Sequence, residues 1–242
     1  MPALRIDVSA DPAALAQRVA QWIVDLASAT PERFAIALSG GSTPKRLYGL
    51  LAAAPLRDQM PWRRVHLFWG DDRFVPWDSS DSNYAMAHEA MLAHVPIPAE
   101  NIHGIPFTGD AADAAREYER TLKSYYGGDG LDPKRPLFDV VLLGMGPDGH
   151  TASLFPGKPA LAERQRWAVE VPEPGLSPFV PRVTLTYPAL DSARSVAFVA
   201  AGADKMAMIR RVLAGDRELP SAQIAPVGEL IWFVDRAAYG DA

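Results

Sequence analysis

Residues 138–157 read F-D-V-V-L-L-G-M-G-P-D-G-H-T-A-S-L-F-P-G, an apolar run that stops at a glycine with a histidine six residues beyond it. Asp139 to Leu143 is short, apolar and rich in β-branched side chains. That pattern predicts a strand buried on both faces, as in a parallel sheet. The strand ends at Gly144, and His150 follows with an acidic neighbour, Asp148. Ligands of open α/β sheets bind beyond the strand ends. A histidine there is a candidate general base, because its unperturbed pKa lies near neutrality. Asp148 is a candidate to orient the imidazole, with a structural turn carboxylate as the alternative. Backbone N–H groups around Gly144 and Gly146 are candidates to hold an oxyanion.

Working outward, strands and helices alternate. Leu4 to Val8 alternates like a strand. Asp11-Pro12 reads as a helix cap followed by proline at the first helical position. Leu15, Val19, Trp22, Ile23 and Leu26 then recur at helical spacing. Phe34 to Leu38 predicts a buried strand, and Ser39-Gly40-Gly41-Ser42-Thr43-Pro44 follows it. Ser42 or Thr43 is expected to cap a helix over Lys45 to Ala54. A strand, a glycine turn and a helix start make an anion site, because free N–H groups and the helix dipole converge there. The alternative is a tight turn that needs glycine. The stretch is not a Walker A loop, since its lysine spacing is absent.

Val65 to Trp69 predicts the next strand, which runs into Gly70-Asp71-Asp72-Arg73. Three charges at a strand end are costly to bury unless paired. The residues alone favour a solvated turn with Arg73 paired to a neighbouring aspartate. Ser82-Asn83 predicts a helix cap, with Tyr84, His88, Met91, Leu92 and Val95 on one face and His88 read as a core histidine. Asn101 to Ile105 reads as a weak strand, and His103 is given no role. Asp110 to Tyr126 predicts a helix. Trp167 to Val171, Arg182 to Thr186, Ser195 to Ala201 and Ile231 to Val234 predict further strands, with Asp235 capping a last helix. Pro172 to Pro181 is a long irregular connection and a candidate lid. Lys205 falls in the first turn of a helix over Gly202 to Leu213, where a cation opposes the dipole unless an anion shares the site. An exposed lysine is the alternative. The fold class expected is α/β, doubly wound, with a mainly parallel sheet covered by helices on both faces.

The composition narrows the function. The 242 residues are 48% hydrophobic with a net charge of −5, enough for one large core over residues 1–242 and short of the basic balance of a nucleic-acid binder. There are no cysteines, which excludes disulfides and thiolate chemistry. The opening residues lack the apolar run of a secretory leader, and no stretch reaches membrane-spanning length, so a soluble cytoplasmic protein is expected. The oligomeric state is left open, and a monomer is compatible with the sequence.

One motif misleads. Gly144-Met145-Gly146-Pro147-Asp148-Gly149 satisfies G-x-G-x-x-G, and Glu170 lies about 20 residues on, as a dinucleotide fingerprint asks. The fingerprint must open a long helix. Pro156, Gly157 and Pro159 stop any helix here.

Taken together, L-S-G-G-S-T-P at Leu38, G-D-D-R-F-V-P at Gly70, S-N-Y at Ser82, G-M-G-P-D-G-H-T-A-S-L-F-P at Gly144 and R-V-T-L-T at Arg182 occur in this order. The chain resembles, over nearly its whole length, the family shared by 6-phosphogluconolactonases and glucosamine-6-phosphate deaminases. The resemblance implies a modified Rossmann fold and hydrolysis of 6-phospho-D-glucono-1,5-lactone in the oxidative pentose phosphate pathway, with no metal or organic cofactor. It implies His150 as the base, Arg73 near the reacting end, and Gly40, Gly41, Ser42, Thr43, Arg182 and Lys205 around the phosphate. Asp71 is a supporting candidate. One departure is visible: Asp71-Asp72-Arg73 stands where lactonases carry Asp-Glu-Arg, which leaves the role of Asp72 open.

Three rivals remain at this level. A deaminase would carry glutamate five residues after the histidine, and Phe155 stands there. A non-enzymatic sugar-phosphate sensor would bring a DNA-binding segment, for which the residues before Phe34 leave room for only one strand and one helix. An NAD enzyme is the third.

Overall fold

The computed structural model describes residues 3–240. Its strands are β1 (Ala3–Ser9), β2 (Phe34–Leu38), β3 (Val65–Trp69), β4 (Asp71–Arg73), β5 (Phe138–Leu143), β6 (Ala168–Val171), β7 (Arg182–Leu185), β8 (Ala193–Ala200) and β9 (Glu229–Asp235). Its α-helices are α1 (Pro12–Ala29), α2 (Ser42–Leu51), α3 (Leu56–Gln59), α4 (Asn83–Ala90), α5 (Ala111–Tyr126), α6 (Tyr187–Asp191), α7 (Met206–Leu213) and α8 (Arg236–Tyr239). The reading of the chain's start rests partly on Met1 and Pro2, which lie outside the described residues. No helix among the described residues is long and apolar enough to cross a membrane.

The apolar runs become strands of one parallel sheet in the order β1-β9-β8-β5-β2-β3. All five residues of β2 are buried, and so are all of β5 except Asp139. Both strands lie inside the sheet, so neither face needs polar residues. Helix α1 starts as its sequence demands. Asp11 accepts from the N–H groups of Ala13 and Ala14 at 2.8 and 2.9 Å, with Pro12 at the first helical position. Leu15, Val19, Trp22 and Ile23 point inward and are buried. Each such side chain stabilises the fold by roughly 1.5–3 kcal/mol.

The strand order locates the site. From β2 the chain moves outward to β3 at one edge, then returns to β5 and proceeds through β8 and β9 the other way. The direction reverses between β2 and β5, and a crevice opens beyond the carboxyl ends of the strands at such a point. β2 runs there into Ser39-Gly40-Gly41, and β5 into Gly144-Met145-Gly146.

The expectation of a single mainly parallel sheet needs an addition. A second sheet, ordered β4-β7-β6, is antiparallel. Gly70 joins the two: its N–H donates to the Leu38 carbonyl at 2.8 Å, and its own carbonyl accepts from the Leu185 N–H at 2.8 Å. Helix α5 packs on β6 and β7.

Local differences follow from helix ends. Helix α2 begins at Ser42 with Gly41 as its cap, and no side chain caps it, so neither Ser42 nor Thr43 plays the expected capping part. Helix α4 is capped by Ser82 as expected but stops at Ala90, and His88 is exposed, not a core histidine. Asn101 to Ile105 forms no strand; Ile102 makes only an isolated bridge to Leu67. Asp235 caps α8 as read from the sequence, and Asp110, read as the first residue of a helix, is the cap of α5. A 3-10 turn, Ala203–Lys205, precedes α7.

Candidate active site

The histidine is held by its own turn. Gly149 N–H donates to the Gly146 carbonyl at 3.1 Å, and Gly146 N–H donates to the His150 carbonyl at 2.9 Å. Asp148 Oδ1 accepts the His150 backbone N–H at 3.1 Å and lies 2.5 Å from His150 Nδ1. Chemistry assigns the tautomer: a carboxylate accepts, so Nδ1 donates and Nε2 keeps its lone pair. The imidazole packs directly against Gly146. A Cβ at that position would come within 2.0 Å of Nδ1 and Cε1, so only glycine admits the ring. On its other contact, the fully buried Phe155 ring sits 4.5 Å from the imidazole between centroids. Thr151 Oγ1 donates to the Gly144 carbonyl at 2.9 Å, which ties the turn to the end of β5.

The charged stretch after β3 is not a solvated turn. It is strand β4, and Asp71 and Asp72 are buried. Asp72 accepts from the N–H groups of Arg73, Asn83 and Tyr84 at 2.8, 2.6 and 3.0 Å and from Ser82 Oγ at 3.0 Å. It thus anchors the start of α4. Burial pushes its pKa up to about 6 against the opposing bonds from Asn83 and Tyr84, with Asp71 adding to the rise. Asp71 accepts from Ser153 Oγ at 2.6 Å. Arg73 makes no side-chain ion pair with these aspartates; its Nη1 donates to the Asp81 carbonyl at 2.9 Å and to Asn83 Oδ1 at 3.0 Å. Arg182, at the start of β7, is 4% exposed. Its Nη2 donates to the carbonyls of Leu176 and Pro178, and its guanidinium lies 5.3 Å from the Phe155 ring centroid. Burial pulls its pKa down, while Asp71 pulls it back up. It thereby braces the irregular connection over residues 172–181.

These groups meet in one cavity of about 200 Å³, lined by Ser39, Gly40, Gly41, Asp71, Arg73, Asn83, Gly144, Met145, Gly146, His150, Ala152 and Arg182. The Nε atoms of Arg73 and Arg182 and the Ser39 hydroxyl are buried without a protein partner. Buried donors without partners are rare, and three around one cavity fit an anionic ligand. Asp148 stands behind His150 and outside the lining. Ser42 and Thr43 line a neighbouring cavity of about 240 Å³ with Arg46 and Gly202. Lys205 lines neither; its Nζ lies 3.5 Å from Asp204. Among the described residues, no group of three or more His, Asp or Glu side chains is placed to hold a metal.

Sequence reasoning missed Ser39, Asn83 and Ala152 as lining residues. Asn83 was legible only as part of S-N-Y, where a helix cap seemed its whole use. Ala152 has φ 47°, left-handed backbone that is uncommon outside glycine. Strain of this kind gathers at functional sites.

The family described as glucosamine-6-phosphate isomerases/6-phosphogluconolactonase matches residues 10–232. A 6-phosphogluconolactonase of Nostoc is 44% identical over 240 residues, 96% of this chain and 96% of its own. One from Rattus norvegicus is 41% identical, covering 93% and 87%. The solved 6-phosphogluconolactonase from Trypanosoma cruzi superposes with a TM-score of 0.83 at 32% identity over 98% of this chain and 96% of that one. A monomeric glucosamine-6-phosphate deaminase superposes at 0.81 with 17% identity, a likeness of fold.

Proposed function

The chain belongs to the glucosamine-6-phosphate isomerase/6-phosphogluconolactonase family, and on that premise we propose that it hydrolyses 6-phospho-D-glucono-1,5-lactone to 6-phosphogluconate. The observation that carries the reading is the Asp148–His150 pair at 2.5 Å, set in a cavity that Arg73 and Arg182 also line. A lactone is an activated ester, so opening it needs a base for water and a donor for the oxyanion.

In the proposed reaction, His150 Nε2 takes a proton from water as the water oxygen attacks the C1 carbonyl. Arg73 and backbone N–H groups around Gly144 to Gly146 stabilise the oxyanion. The tetrahedral intermediate collapses, the bond from C1 to the ring oxygen breaks, and that oxygen receives the proton from His150. The acid product leaves as carboxylate. Neither a metal nor a covalent intermediate takes part. Asp148 keeps the imidazole in the tautomer that leaves Nε2 free. Gly40, Gly41 and Arg182, which line the cavity, take the phosphate, with Ser42 and Thr43 of the adjoining cavity and Lys205, once it leaves Asp204, completing the set; the remote binding energy of the phosphate positions C1. We place the enzyme in the cytoplasm, in the oxidative pentose phosphate pathway.

Timed hydrolysis of freshly made 6-phosphogluconolactone, with the spontaneous rate subtracted, tests this. His150→Ala should remove most of the enzyme-dependent rate; unchanged activity rejects the base. Equal rates on unphosphorylated gluconolactone reject the phosphate site. Phe155 in place of a titratable group disfavours the deaminase reading, and ammonia release from glucosamine 6-phosphate would reinstate it.

A further inference from the structure

Asn83 makes three hydrogen bonds, one to each of the three consecutive residues of β4. Its backbone N–H donates to Asp72 Oδ1 at 2.6 Å, its Nδ2 donates to the Asp71 carbonyl at 2.9 Å, and its Oδ1 accepts from Arg73 Nη1 at 3.0 Å. The amide has one workable orientation. A guanidinium only donates and a carbonyl only accepts, so a flipped amide would lose both side-chain bonds. The side chain is also keyed into the loop after β2. A Cβ on Gly40 would sit 2.0 Å from Asn83 Oδ1 and 2.5 Å from its Cγ, so glycine is required at position 40 by close approach. Nη1 of Arg73 is fully engaged, by Asn83 and by the Asp81 carbonyl. Its Nε is buried and without a protein partner.

We propose that Asn83 is a positioning residue that locks Arg73 Nη1, leaving Nη2, which has no protein partner, to meet the reacting oxygen, and that it links this arginine to Gly40 in the phosphate-side loop. The inference rests on the reading in which Arg73 acts at the reacting end. It adds a coupling which that reading lacks: a shift of the loop at Gly40 displaces the amide and, with it, the arginine. Small misplacements of this kind cost about 10²-fold in rate.

The test is a double-substitution cycle on lactone hydrolysis with the spontaneous rate subtracted, using Asn83→Ala, Gly40→Ala and the pair together. Asn83→Ala should lower kcat by about 10–100-fold while KM changes by less than about threefold. Gly40→Ala should lower kcat to a similar extent, because its Cβ displaces the amide, and should raise KM as well, because Gly40 belongs to the phosphate loop. The double variant should be no slower than Asn83→Ala alone, since alanine at position 83 vacates the space the new Cβ needs. Multiplicative losses, or a loss carried by KM alone, overturn the proposal. Should Asn83→Ala fail to fold, Asn83→Asp takes its place. Asn83→Asp retains the acceptor for Arg73 but loses the donor to the Asp71 carbonyl, so its kcat should fall less than that of Gly40→Ala, and a larger fall in that folded variant overturns the proposal. Arg73→Ala separates the two levels. Full activity there rejects the role of Arg73 itself, whereas an impaired Arg73→Ala beside a normal Asn83→Ala rejects only the positioning.

Discussion

The hydroxyl of Tyr48 accepts the backbone N–H of Ser39 at 3.0 Å and donates to the carbonyl of the same residue at 2.8 Å. Tyr118 does the same to Trp69, at 2.8 Å in both directions. Both phenols are fully buried, and burial drives their pKa values far above the usual range. Each hydroxyl supplies the pairing that an adjacent strand would give, where β2 and β3 run out into the site. Tyr48→Phe should therefore leave an N–H and a carbonyl of Ser39 unpaired. The expected loss is about 1–3 kcal/mol by urea denaturation, with a raised KM for the phosphorylated lactone. Equal stability of variant and parent would show that water replaces the hydroxyl.

Asp148→Asn tests the imidazole's tautomer. The amide offers its nitrogen or its oxygen to Nδ1, and the first forces the proton onto Nε2. The expected result is a fall in kcat of roughly 10–100-fold with little change in KM. A KM effect with intact kcat would place Asp148 in binding instead.

Phe155 separates His150 from Arg182, and Gly175 of the 172–181 connection packs against it: a Cβ there would lie 3.0 Å from Phe155 Cδ1. Phe155→Glu sets a carboxylate beside the imidazole. A negative neighbour favours the imidazolium and raises its pKa. The base form then appears only at higher pH, so the acid limb of the kcat/KM profile should move upward. A limb that stays in place would mean that Arg182 takes up the new charge.

Asp191, at the end of α6, provides a stability test away from the cavity. Its Oδ1 accepts from the Ala225 N–H at 2.8 Å, and burial lifts its pKa to about 6. The folded value exceeds the ordinary one, so the folded state favours the protonated acid. That stabilisation is complete below about pH 4 and is lost as pH rises through about 6. The loss is of order 2–3 kcal/mol. Asp191→Asn keeps the acceptor and removes the titration. Unfolding free energies of parent and variant should diverge between about pH 4 and 7, and parallel curves would count against the assignment.

The apolar strands were legible because burial on both faces writes itself as hydrophobic runs, unbroken in β2 and over the last residues of β5 and β8. Asp11, Ser82 and Asp235 were legible as caps because a cap is a local bond. His150 and Asp148 lie within one turn, so their pairing was also within reach of the sequence. The second sheet was not. Strand β4 has three residues, all charged, and its burial depends on partners from Thr184 and Ser153 more than 80 positions away. Helix α4 is two turns long, too short for periodicity to fix which face His88 takes. Asn83 escaped notice because what gives it meaning, the missing side chain of Gly40, lies 43 residues upstream.

The hydrogen bonds of Gly70 bear on how the site ages. One residue's main chain grips the end of β2 on one side and the end of β7 on the other, so the gap between the His150 and Arg73 sides of the cavity is gauged by main chain. Outer layers of the molecule are thus free to drift in sequence over generations while the jaw around the substrate keeps its span.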